Sequence, residues 1–138
     1  MPRRPTPRPT DTELAILRVL WHRGPSTVRE VHAELAGQEG VGYTTVLKML
    51  QIMADKGLVE RDTSARAHVY RAAESEGETQ RDLIGDLLDR AFDGSAGRLV
   101  MQALATRPAT AAELTEIRRL LDTLEPPSGT SESGDDDV

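Results

Sequence analysis

Val41-Gly42-Tyr43-Thr44-Thr45-Val46-Leu47-Lys48-Met49-Leu50-Gln51-Ile52-Met53 is the stretch on which the reading of this chain turns. Wound at 100° per residue, Val46, Met49, Leu50 and Met53 fall on one apolar face. Thr44, Thr45, Lys48 and Gln51 fall broadly opposite, and none of them is needed to fill a core. Small hydroxyls beside a cation and an amide suit a helix that enters the major groove of DNA. Hydroxyls reach phosphates or base edges, Gln can pair with adenine, and Lys can reach a phosphate or guanine. An ordinary solvated helix face has the same composition, so this helix alone leaves both readings open.

The flanking segments narrow the choice. Upstream, Thr10-x-x-Glu13 has the form of a capping box, followed by Leu14, Leu17, Val19, Leu20 and Trp21 and stopped by Gly24-Pro25. Thr27-x-x-Glu30 starts a second helix with Val28, Val31 and Leu35 as its apolar stripe and Gly37 past its end. The third helix runs from about Tyr43 to Lys56, with Gly57 as a left-handed cap. The period then changes. Leu58-Val59-Glu60-Arg61 is a short strand, Asp62 to Arg66 a polar turn, and Ala67-His68-Val69-Tyr70-Arg71 alternates like a return strand. Three short helices and then a β-hairpin is the order of a winged helix-turn-helix. Arg66, flanked by Arg61 and His68, sits where a wing would meet phosphates, although exposed hairpin tips are often polar and basic for no special reason.

The second half is helical. Ser75-x-x-Glu78 caps a segment carrying Leu83, Ile84, Leu87, Leu88, Ala91 and Phe92, ended by Gly94. A shorter apolar helix, Ala96 to Leu104 with Leu99, Val100 and Leu104, stops before Pro108. Thr110-x-x-Glu113 caps a third, striped by Leu114, Ile117, Leu120, Leu121 and Leu124. Three such helices have too little mass to close a core alone, and each large aliphatic side chain left in water costs about 1.5–3 kcal/mol. They can fold back on the winged domain or pack against a second copy. A symmetric dimer is the commoner solution and would set two recognition helices about one DNA turn, or a multiple, apart on a near-palindromic site.

The expected fold is therefore mainly α: a winged helix-turn-helix over residues 10–73 (three helices plus a β-hairpin wing), then a three-helix dimerisation domain over 74–125. Residues 1–9 (MPRRPTPRP) form a Pro-rich basic arm, expected to be disordered, whose Arg3, Arg4 and Arg8 could track a minor groove or simply aid solubility. Residues 126–138 (PPSGTSESGDDDV) form an acidic tail, also expected to be disordered.

Composition sets outer bounds. The 138 residues, 38% of them hydrophobic, fit one domain or two small ones with an aliphatic core. The formal charge of −6 is unusual for a nucleic-acid binder, but the halves differ. Residues 1–72 carry 11 Lys/Arg against 8 Asp/Glu, and residues 73–138 carry 6 against 15. A basic half can face DNA while an acidic half points away. With no cysteine, disulfides, thiolate metal sites and thiol nucleophiles are out of reach. His22, His32 and His68 fall on different elements without metal-ligand or carboxylate spacing, so no metal, no cofactor and no enzymatic activity are expected. No apolar run reaches a membrane span and the start lacks a secretory pattern, so a cytoplasmic protein without membrane insertion is expected. Two other readings stay open: a winged helix used for protein–protein contacts, and a ligand-gated winged-helix regulator, although the aliphatic C-terminal helices offer little polar chemistry to orient a ligand.

The segments LAILRVLWHRGPSTVREVHAEL, VGYTTVLKMLQIMADKGLVER, RAHVYRAAES and LLDRAFDGSAGRLVMQAL, in this order and spacing, resemble the penicillinase-repressor (BlaI/MecI) family of bacterial transcriptional regulators. The resemblance spans about Leu14 to Leu124. It implies a homodimer with N-terminal winged helices and a C-terminal helical dimerisation domain, repressing genes by occupying a double-stranded DNA operator. The family's DNA-contacting region falls on Tyr43, Thr44, Thr45, Lys48 and Gln51, with the wing at Arg66 and His68. Many relatives carry Arg at the position of Ile52. That departure either removes a basic contact, worth about 1–3 kcal/mol if it read a base, or lets Ile52 pack against the wing. The resemblance also implies relief of repression by proteolysis, downstream of a membrane zinc-metalloprotease that senses β-lactams. The family's Asn-Phe cleavage bond falls on Gln102-Ala103 here, so that motif is missing. A copper-responsive branch uses a cysteine-rich C-terminus, which this chain lacks.

Overall fold

The computed structural model describes residues 8–37 and 40–125. The expected arm, apart from Arg8 and Pro9, and the expected tail at 126–138 lie outside the described residues. Among the described residues six helices and three short strands follow one another: α1 (Asp11–Arg23), β1 (Ser26–Thr27), α2 (Val28–Ala36), α3 (Tyr43–Lys56), β2 (Val59–Asp62), β3 (Val69–Ala72), α4 (Glu76–Ala91), α5 (Ala96–Thr106) and α6 (Ala111–Leu124). The described residues divide into two compact units, the first ending at residue 89 and the second beginning at residue 90. The first runs past residue 73, because Thr79 is buried and the Trp21 indole bonds the backbone just ahead of α4.

Local chemistry explains where the helices begin. Thr10, Thr27, Ser75 and Thr110 each accept from the backbone N–H three residues on, and Glu13, Glu30, Glu78 and Glu113 reach back to the cap's own N–H. Each box satisfies amides that the helix geometry leaves unpaired. Gly57 ends α3 at φ 85°, and the Leu58 N–H then bonds the Met53 carbonyl at 2.9 Å. A side chain at that φ would be strained, so glycine allows the chain to turn directly from α3 into the wing.

One element of the first unit departs from the expected hairpin. β2 and β3 pair antiparallel in the register Arg61↔Tyr70, but β3 also pairs with β1, Ser26 opposite Tyr70, giving a three-stranded sheet in the order β1-β3-β2. Two residues carry no alternation that could reveal a strand, and Thr27 reads as a helix cap. The core lies between α1, α2, α3 and this sheet. It includes Ile16, Leu17, Val31, Leu35, Val46, Leu50, Met53, Val59 and Tyr70.

The second unit is built differently. Among its described residues none is buried. Leu99, Leu104, Leu114 and Ile117 are half-buried, while Val100, Met101, Leu120, Leu121 and Leu124 are exposed, the last to 70%. In α4 and just beyond it, Leu83, Leu88 and Phe92 are half-buried and Leu87 is exposed. No described helix is long and apolar enough to cross a membrane, and no group of His, Asp and Glu among the described residues could hold a metal.

Candidate nucleic-acid interface

α3 presents two chemically distinct sides. Val46, Leu50 and Met53 are fully buried, which fixes the helix against the core by one face. Tyr43, Thr44, Thr45, Lys48 and Gln51 are exposed on the other. Ile52 shares that side at 37% exposure. Two residues beyond Leu50, it is rotated by about 200° from the core direction. The N-cap of α3 is Gly42, which makes no side-chain capping bond, in contrast to the four boxed helices. The first amides of α3 are therefore left without a side-chain cap, next to the exposed Thr44 and Thr45, an arrangement suited to an anion. The Tyr43 ring is held edge-on by His32 of α2, with centroids 5.8 Å apart and planes at 81°.

Beside this helix the wing closes a groove of about 420 Å³. Arg29 of α2, Tyr43 and Gln51 of α3, and Arg61, Arg66 and His68 of the wing line its sides, and no Asp or Glu does. The pairing of cations across the first unit sharpens this picture. Arg23 bonds Glu30 and Glu34 at 3.3 and 3.5 Å, Lys56 bonds Glu13 at 2.8 Å, Arg8 bonds Asp86 at 2.6 Å, and Arg71 pairs with Glu60 across the sheet. Arg29, Lys48, Arg61 and Arg66 have no acidic partner among the described residues. Arg18 of α1 and Arg81 of α4 likewise take no part in these ion pairs, so the face that α3 and the wing share carries four of the six such cations among the described residues of the first unit, a footprint suited to a polyanion.

At the turn of the wing, Asp62 accepts from Ser64, whose N–H lies at 2.9 Å; the Ser64 side chain and amide hold the carboxyl below its ordinary value. This closes the loop on itself and keeps that acid engaged locally. Glu30, held below its ordinary value by the Thr27 amide against its burial and helped by Arg23, is likewise occupied in its box.

Of the residues singled out from sequence, Tyr43, Gln51, Arg66 and His68 meet in the groove, whereas Thr44, Thr45 and Lys48 lie on the open side of α3. Arg29 was missed. It stands alone beside a capping box and no local pattern marks it; the pairing of β1 with β3 brings the start of α2 next to the wing. Arg61 was noticed as a neighbour of the tip, but its position in the groove follows from its place opposite Tyr70. His22 is exposed on α1, His32 packs on Tyr43 and His68 lies in the groove, so the three histidines do not converge.

The penicillinase repressor family model matches residues 9–123. The chain is 34% identical over 128 residues to the transcriptional regulator BlaI of Mycobacterium tuberculosis, covering 88% of this chain and 92% of that one. It is 23% identical over 116 residues to the penicillinase repressor of Bacillus licheniformis, covering 84% of this chain and 91% of that relative. Among solved structures, it is similar to Bacillus licheniformis BlaI in its monomeric form in complex with the blaP half-operator. That match has a TM-score of 0.47 and 26% identity, and covers 53% of this chain and 89% of the other.

Proposed function

This chain belongs to the penicillinase repressor family, and we propose from that membership and the charge of its α3–wing face that it is a DNA-binding transcriptional repressor acting as a cytoplasmic homodimer. α3 enters the major groove of a near-palindromic operator, and the wing and Arg29 hold the flanking backbone. The observation that carries this reading is the groove itself, lined by a histidine and by three arginines with no acidic partner among the described residues, and with no carboxylate among the described residues that line it. Phosphate contacts from Arg29, Arg61 and Arg66 set position, while Gln51 and Lys48 read base edges. Ile52, apolar and exposed among polar neighbours, can meet a thymine methyl group.

Single substitutions separate these roles. On a half-site duplex recovered by selection from a random library, Arg66→Ala should lower the slope of log affinity against log salt by about one. Lys48→Ala should weaken binding by about 1–3 kcal/mol if it reads a base. Unchanged salt dependence and affinity in both variants would defeat the groove-and-wing reading.

The exposed faces of the C-terminal helices support a second copy. Leu83, Leu87, Leu88, Phe92, Leu99, Val100, Leu104, Leu114, Ile117, Leu120, Leu121 and Leu124 supply apolar surface that one chain leaves half-buried or open. Sedimentation equilibrium should give twice 15.1 kDa for the natural chain and 15.1 kDa for Leu121→Asp. A natural chain that sediments as a single copy at micromolar concentration would remove the dimer. The family resemblance also assigns a membrane metalloprotease as the partner that relieves repression. The bond in register with the family's cut, Gln102–Ala103, is exposed on α5, and such an enzyme would have to accept Gln-Ala.

A further inference from the structure

Strand β3 and helix α4 are joined by Ala73, Glu74 and Ser75. A three-residue connection of this composition can swivel, yet each of these residues is tied. The Ala73 N–H donates to the Leu58 carbonyl at 3.0 Å, prolonging the sheet pairing past its last residue. The Ser75 N–H donates to Glu78 Oε1 at 2.9 Å and its hydroxyl accepts from the Glu78 N–H at 3.1 Å. Between them, the Glu74 carbonyl accepts from Trp21 Nε1 at 3.0 Å, across 53 residues of chain. Trp21 is half-buried against the core cluster, so packing sets the ring and hence the direction of its one donor. Farther along α4, Asp86 accepts from Arg8 Nη1 at 2.6 Å, a second tie between this helix and the chain ahead of α1.

Neither the fold of the winged helix nor the capping of α4 calls for the indole bond. The sheet is closed by Ala73 and the helix is started by Ser75. What the bond adds is direction: it pins the carbonyl that lies between sheet and helix. α4 carries Leu87, which is exposed and among the apolar residues offered to a second copy, and the exposed Ile84.

We propose that Trp21 is a positioning residue, whose bond to Glu74 fixes the direction in which α4 leaves the winged helix and thereby the spacing between the two α3 helices on DNA. This rests on the homodimer reading. With a rigid exit, a change of one base pair between half-sites displaces the second recognition helix from its groove. With a loosened exit, the dimer can follow.

The test uses the full chain, the selected half-site duplex, and inverted repeats of it with spacers differing by one or two base pairs. For the natural chain, the preferred spacer should bind on the order of 100-fold more tightly than its neighbours, because two-point binding is lost when geometry forbids it. Trp21→Phe keeps an aromatic ring and removes the donor. It should bind the single half-site within about twofold of the natural chain while its spacer preference falls to about threefold or less. A Trp21→Phe dimer that keeps the natural spacer profile overturns the proposal. So does equal weakening on the half-site and on every spacer, which marks a general loss of fold. If Trp21→Phe does not fold, a glycine inserted after Glu74 tests the same junction with the core intact, and an unaltered spacer profile there also overturns it. A natural chain that is monomeric defeats the dimer reading itself, and a dimeric natural chain indifferent to spacing overturns the proposal; both are recognised before any variant is made.

Discussion

Replacing Arg29, Arg61 and Arg66 together by alanine should weaken binding to a half-site on the order of 100-fold at physiological salt. It should also lower the slope of log affinity against log salt by about three. The second number follows from counterion release, which contributes about 0.9 for each phosphate neutralised. The first follows from about 1 kcal/mol for each exposed charge contact. These arginines lie on the surface and have no acidic partner among the described residues, so their loss should change stability by about 0.5 kcal/mol or less. Preference among half-site sequences should survive, since phosphate contacts carry no base information. Gln51→Ala should do the reverse, keeping the salt slope and losing about 1–3 kcal/mol of discrimination at one position. Arg23→Ala and Arg71→Ala are the matched controls. Both cations are already neutralised, by Glu30 and Glu34 and by Glu60, and should leave the slope in place. A slope unchanged in the triple variant would mean that the groove does not meet the backbone. Fluorescence anisotropy over a salt series measures all of these quantities.

The largest loss of stability should come from Lys56→Met, at about 2–3 kcal/mol near neutral pH, read from urea unfolding. Lys56 in the last turn of α3 bonds both oxygens of Glu13, at 2.8 and 3.1 Å, and Glu13 in the first turn of α1 is 1% exposed. Removing the cation strands a buried carboxylate, the costly way to break an ion pair; the figure is set below the usual range because Lys56 is itself one-third exposed. The pH dependence identifies the cause. Burial pushes the Glu13 carboxyl up. The Lys56 hydrogen bond, the Thr10 amide and hydroxyl and the Lys56 charge outweigh it, so the natural carboxyl titrates below its ordinary 4.5. A group depressed on folding contributes stability above that ordinary value and loses it as pH falls through the folded value. In Lys56→Met the burial effect is no longer outweighed by the lysine, so protonation of Glu13 relieves the penalty. The deficit of the variant should therefore shrink as pH falls toward 4. A deficit independent of pH would assign the loss to packing of the lysine stem instead.

The winged helix was legible from sequence because each of its decisions is made within a turn or two of chain. Thr10 and Glu13, Thr27 and Glu30, and Ser75 and Glu78 are three apart, and a helix start is a matter of which neighbours can satisfy its first amides. Val46, Leu50 and Met53 repeat at helical spacing, so the buried side of α3, and with it the exposed side bearing Lys48 and Gln51, was readable directly. The unpartnered apolar faces of α5 and α6 followed from the same periodicity. Where periodicity is lacking, the reading stopped. β1 is too short to alternate. Ile52, apolar on a polar face, could not be placed by character alone, since both exposure and packing against the wing were consistent with it.

By itself the sequence determined which segments are helices, close to where they start and stop, and which side of α1, α2 and α3 turns inward, because those choices are local. Only the tertiary structure decided that Arg29 joins Arg61 and Arg66 in one groove, that Lys56 bonds the buried Glu13 across 43 residues, and that Trp21 reaches the junction ahead of α4. Such meetings depend on how elements pack and pair across the core. A lone arginine, lysine or tryptophan carries no spacing that announces the partner it will find.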